Sequence, residues 1–184
     1  MNRAGLLRGG AGAVAVAAAG GALAGAGAAD GLDARILAVF AQLEALQERF
    51  YREAVRSGRL RGELLAFATA ARDQEARHVA MLATHLRHAP KAPRADFGDA
   101  LSSPQRFGEA AVALEEAAIA TYVGQTANLS RALVAPVGTM TSVEARQAAW
   151  IRSLTGADPA PHAADPARRP EAVFADLRRR GLIA

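Results

Sequence analysis

Ala71-Arg72-Asp73-Gln74-Glu75-Ala76-Arg77-His78-Val79-Ala80-Met81-Leu82 is the stretch on which the fold turns. Extended back to Leu64, it carries Leu64, Ala68, Ala71, Glu75, His78 and Leu82 at spacings of three and four, which line up along one face of a helix. That face is apolar except for Glu75 and His78, one turn apart. Alone, a Glu and a His at this spacing are an ordinary surface pair. Here they interrupt the stripe that should face a core.

The same interruption recurs in each of three further helical segments. Leu37, Phe40, Glu44, Gln47 and Tyr51 form the stripe of a segment from about Asp30 to Arg56, which stops at Ser57-Gly58. The segment containing Glu75 runs from about Leu60 to Arg87 and stops before Ala89-Pro90. After a proline-containing connection, Pro104 sits where a first-turn proline belongs and opens a helix to about Arg131, with Ala111, Glu115, Ala118, Tyr122 and Leu129 on one face. The last segment begins near Pro136 or Thr139 and ends at Thr155-Gly156, with Met140, Glu144, Gln147, Ile151 and Leu154 in line. Runs of alternating β-branched and aromatic residues are missing, so the expected fold class is all-α: an antiparallel four-helix bundle over residues 29–156, with a short C-terminal extension over 157–184 that ends in a helix near Pro170 to Arg180.

Each helix thus carries one inward Glu near its middle. An unpartnered buried carboxylate costs several kcal/mol, and four together would also repel one another. Two divalent cations would neutralise them. In dimetal carboxylate bundles two helices give a single Glu and two give Glu-x-x-His. Glu44 and Glu115 match the single carboxylates, Glu75-Ala76-Arg77-His78 matches one Glu-x-x-His, and Glu144-Ala145-Arg146-Gln147 takes the place of the other with Gln in the His position. Glu48, Glu53 and Glu116 fall outside this pattern and are expected to be solvated or ion-paired. For Tyr51 and Tyr122 two roles stay open, hydrogen bonding near the site or core packing. Trp150 is expected in the core.

Four elements, in this order and spacing, resemble the ferritin-like superfamily, and within it the exported bacterial ferritin-like domain proteins of the desiccation-related type. They are Leu43-Glu44 followed by Phe50-Tyr51, Asp73-Gln74-Glu75-Ala76-Arg77-His78, Leu114-Glu115-Glu116 followed by Tyr122-Val123-Gly124, and Val143-Glu144-Ala145-Arg146-Gln147-Ala148-Ala149-Trp150. The resemblance spans about Leu32 to Gly156. It implies metal ligands Glu44, Glu75, His78, Glu115, Glu144 and Gln147, with Glu75 and Glu144 bridging two ions. Glu44 and His78 would complete one ion, Glu115 and Gln147 the other. Iron is the implied metal, with manganese as a substitute, and oxygen or peroxide is the implied electron acceptor. A neutral amide is a poorer ligand than imidazole, so the second ion is expected to bind more weakly. The rival expectation is a non-enzymatic bundle with a degraded site, kept for structural or stress-protective purposes.

Composition narrows the alternatives. The 184 residues suit one domain. With no cysteine, disulfides, thiolate nucleophiles and thiolate metal sites are all excluded. The formal charge of +4 comes from scattered arginines, Lys91 being the only lysine, with no stacking aromatics or recognition motif beside them, so no nucleic-acid partner is expected. Residues 1–28 have the pattern of a signal peptide: Arg3 and Arg8 as the only charges, an apolar run from about Ala11 to Ala24, and Ala26-Gly27-Ala28 as a cleavage site. Export is expected, by a Sec or twin-arginine route, with membrane contact only if that segment stays uncleaved. A homo-oligomer is compatible with the bundle.

Overall fold

The computed structural model describes residues 31–88 and 90–184, so the expected signal peptide lies outside the described residues. Among the described residues five α-helices follow one another: α1 (Gly31–Arg56), α2 (Gly62–Ala83), α3 (Pro104–Gln125), α4 (Arg131–Leu154) and α5 (Pro170–Arg179), with a 3-10 turn at Thr126–Asn128 between α3 and α4. No strand occurs among the described residues, and none of their helices is long and apolar enough to cross a membrane. The first four helices form the bundle, α1 packing chiefly on α2 and α3 on α4.

The ends of the helices follow local chemistry. Gly58, at φ 64°, turns the chain after α1, a left-handed conformation costly to other residues. Ser103 caps α3, its side chain accepting the Arg106 N–H at 3.2 Å, and Pro104 fills the first turn. Gly156, at φ 77°, ends α4 as expected, with the Ala157 N–H closing back on the Arg152 carbonyl at 2.9 Å. The start of α4 lies upstream of the expected one. Arg131 opens the helix and Pro136 sits inside it. A proline so near the N-terminus removes only one intrahelical bond. Burial of Leu133 and Val137, together with the Asp33 carboxylate accepting the Ser130 N–H at 2.9 Å, holds the first turns in place.

The core falls into two apolar clusters. One gathers Leu46, Phe50, Tyr51, Phe67, Ala68, Phe107, Ala111, Leu114 and Ile151. The other gathers Leu37, Phe40, Leu82, Ala118, Tyr122, Val137 and Met140. The second cluster takes the early part of α1 and α4 but the late part of α2 and α3. The chain therefore runs up α1, down α2, down α3 and up α4. Within each pair the helices are antiparallel, while α2 and α3 point the same way and are joined by the long connection from Thr84 to Ser103. A single long crossover of this kind is the ferritin-like variant of the four-helix bundle.

Beyond α4 the chain returns to the core. Val173 and Leu177 of α5 and the following Leu182 and Ile183 are buried in the first cluster. On its way there the strand of chain before α5 crosses α3, where the Arg168 N–H bonds the Ala120 carbonyl at 2.9 Å. Gly124 permits this approach, since a Cβ there would meet the Arg168 carbonyl oxygen at 2.3 Å. Trp150, expected in the core, is instead 40% exposed and leans edge-on against Phe67. Its position in α4 points between the helices and solvent, because Ala148 and Ile151 take the inward places beside it.

Candidate metal centre

Between the two apolar clusters lies a layer of polar side chains. Glu44, Glu75, Glu115 and Glu144 are all at 0% exposure, with His78, Gln47 and Gln147 buried among them. Each residue sits where its helix crosses from one cluster to the other, so the helical spacing that fills the core also brings these groups to one level.

His78 organises one half of the layer. Its Nδ1 stands 3.0 Å from Glu44 Oε2, 3.1 Å from Glu75 Oε2 and 3.0 Å from Glu144 Oε1. Ligand atoms at right angles on one ion, with bonds of about 2.1 Å, stand about 3 Å apart. The four residues accordingly offer ligand atoms that all lie within 4.8 Å of one another, a cluster that can hold a metal ion.

The other half is organised by two amides. The Gln147 Nε2 donates to Glu75 Oε1 at 2.7 Å. The Gln47 Nε2 donates to Glu115 Oε2 at 3.3 Å and to Glu144 Oε2 at 3.2 Å. The Tyr51 hydroxyl donates to Glu115 Oε1. Glu75 and Glu144 therefore each turn one oxygen to the histidine half and the other to the amide half. That is the orientation a bridging carboxylate needs.

The electrostatics show what the layer lacks. Burial, reinforced by the charge of Glu144, pushes the Glu44 carboxyl from 4.5 up to about 7. Burial and neighbouring carboxylates also raise Glu75 and Glu115 well above the usual range. Burial alone would lower His78, but hydrogen bonds to Glu144, Glu44 and Glu75 outweigh it and hold the imidazolium up to about 12. Burial and the charge of Glu115 push the Tyr51 phenol up, keeping it a donor. One imidazolium offsets one negative charge, and the raised carboxyls reflect how strongly this buried layer resists carrying more. In addition, Glu44 Oε1 and the Oε1 atoms of Gln47 and Gln147 are buried without a hydrogen-bond partner among the described residues. Lone pairs left over in a dry, carboxyl-rich layer fit divalent cations bound through oxygen and imidazole nitrogen.

All six residues expected as ligands thus meet in this layer, with Glu115 joined to the rest through Gln47. Gln47, in the sequence one more member of the α1 stripe, belongs to the layer as well. The signal was present in the sequence, because Glu44-Ala45-Leu46-Gln47 repeats the spacing of Glu144-Ala145-Arg146-Gln147. Tyr51 belongs to the layer through its hydroxyl, whereas Tyr122 packs edge-on against Phe40 and its hydroxyl has no partner among the described residues. The outer acids behave as expected: Glu48 pairs with Arg52, Glu53 with Arg49 at 2.7 Å and Glu116 with Arg152 at 2.6 Å.

A single-crossover helical bundle with a buried carboxylate and histidine layer at mid-height defines the class: a helical protein built around a site that can hold metal. The model of the ferritin-like domain family matches residues 32–157, and the chain belongs to that family. No curated protein matches it.

Proposed function

We propose that this protein is an exported di-iron carboxylate protein that binds ferrous iron and oxidises it, with oxygen or peroxide as the acceptor. The observation that carries the reading is the split orientation of Glu75 and Glu144, whose two oxygens serve opposite halves of one buried layer. Glu44 and His78 would hold the first ion, Glu115 and Gln147 the second and weaker one, with Glu75 and Glu144 shared. Iron supplies the redox chemistry when bound, manganese being the substitute the same donors accept.

The protein's own part is to position and to exclude. Tyr51 orients the Glu115 carboxylate through its O–H, and the apolar clusters on either side keep bulk water from the layer, which strengthens every charge interaction inside it. The pattern of residues 1–28, with two arginines, an apolar run and Ala26-Gly27-Ala28, supports export, and the motif order supports the desiccation-related branch of the family.

Iron content after anaerobic ferrous loading and desalting tests the reading, with a Glu75→Ala, His78→Ala variant alongside. At least one iron retained per chain, absent from the variant, and ferrous ions consumed faster than in protein-free buffer once oxygen is admitted, are the expected results. No retained iron in a folded wild-type protein would overturn it. Secretion of the full chain from a bacterial host, with the mature N-terminus found after Ala28, checks the export half.

A further inference from the structure

The amide half of the layer already contains a group doing the work of a cation. Gln47 Nε2 lies between Glu115 Oε2 and Glu144 Oε2 at 3.3 and 3.2 Å, and Gln147 Nε2 lies 2.7 Å from Glu75 Oε1. Every carboxylate that would serve a second ion therefore has an oxygen accepting from an amide N–H. Turning either amide over would set its oxygen against a carboxylate oxygen, acceptor to acceptor, wherever that carboxylate is ionised. The cost of the arrangement is visible in the buried Oε1 atoms of both glutamines, which find no partner among the described residues. Those two oxygens are themselves hard donors suited to a divalent cation.

We infer that Gln47 is an amide latch on the second half of the centre, so that the protein loads one divalent ion in the histidine half and keeps the other half closed. A second ion enters only when the Gln47 N–H groups leave Glu115 and Glu144. This rests on the dimetal reading above and adds to it an order of loading and the residue that imposes it. Gln147 acts in the same sense on Glu75, but it also offers the second ion a ligand. Gln47 is the position where the two roles separate, because it bonds to two carboxylates at once while α1 already supplies Glu44 to the other half.

Manganese titration of the full chain, followed by calorimetry and by electron paramagnetic resonance, tests the latch without relying on turnover. The wild-type protein is expected to bind one Mn2+ per chain tightly with the spectrum of an isolated ion, and a second only weakly. Replacing Gln47→Leu, which keeps the volume and removes the N–H donors, is expected to tighten the second site about tenfold, the equivalent of one hydrogen bond to a charged group. The spectrum should then change to that of two coupled ions at lower Mn2+. Gln47→Glu, which keeps the shape and adds an anionic ligand, should tighten it further. Two ions bound with equal affinity by the wild-type chain would overturn the latch and leave the dimetal reading intact. A second-site affinity unchanged in both variants would do the same. No Mn2+ bound by folded wild-type protein would remove the metal reading and the latch together. Should either variant fail to fold, the wild-type titration decides by its count of tight sites and its spectrum.

Discussion

The two halves of the carboxylate layer share Glu75 and Glu144 and differ in what faces them. In one half an imidazole nitrogen stands about as far from three carboxylate oxygens as ligands on a common ion stand from each other. In the other, amide N–H groups take the imidazole's place on the carboxylates. A histidine can release its proton and become a ligand, whereas an amide N–H cannot, so it can only move aside. One change of donor type on α4, together with Gln47 on α1, is enough to make two geometrically similar half-sites chemically unequal.

The largest effect should come from the histidine half. Losing Glu75 and His78 together removes a shared carboxylate and the only nitrogen donor, and should weaken the first ion by more than the roughly 10- to 100-fold typical of losing a supporting outer group. Equilibrium dialysis against Mn2+ measures it. Retention of wild-type affinity would show that the ions sit elsewhere.

Next in size is the response to pH. The folded-state Glu44 carboxyl, at about 7 against 4.5, stabilises the fold below 4.5 and loses that contribution as pH rises through about 7. His78, at about 12 against 6.5, acts in the same direction: its contribution is whole below 6.5 and fades as pH rises toward 12. The metal-free protein should therefore melt at falling temperature as pH rises from 4.5 to beyond 7, by several degrees if the difference is a few kcal/mol. Metal reverses the trend, because ions compete with protons for the same oxygens. Thermal melts with and without Mn2+ across this range would show the two slopes, and parallel slopes would contradict the account.

A smaller effect distinguishes the halves by their supports. Tyr51→Phe deletes the donor on Glu115 and nothing in the histidine half. The second ion should weaken by about tenfold while the first is unchanged, read in the same titration. Smallest of all is Glu53→Gln, which breaks a half-exposed pair with Arg49. Its cost should stay within about 1 kcal/mol by denaturant unfolding, with no change in metal binding, marking the contrast between inner and outer glutamates.

Much of this was legible in the sequence because helical spacing is a strong signal. A Glu in place of an apolar residue at the middle of four stripes showed which face turned inward and which side chains would meet. Spacing does not say which oxygen of Glu75 faces which partner, and so the unequal halves emerged only in three dimensions. Gln47 escaped because an amide in an apolar stripe carries no charge to demand explanation. The position of Trp150 escaped for a different reason. Its bulk suggested burial, while Ala148 and Ile151 on either side already occupied the inward places. Pro136 misled in the opposite way, since a proline near a helix start is tolerated when packing anchors the turns around it.

The polar layer also parts the apolar interior into two compartments, each with contributions from all four bundle helices. A bundle arranged in this way resembles a beam clamped at both ends, with a removable bolt at mid-span. The clamps are apolar packing and the bolt is polar. Architecture and chemistry are thus carried by different side chains, apolar ones in the clamps and polar ones at the centre.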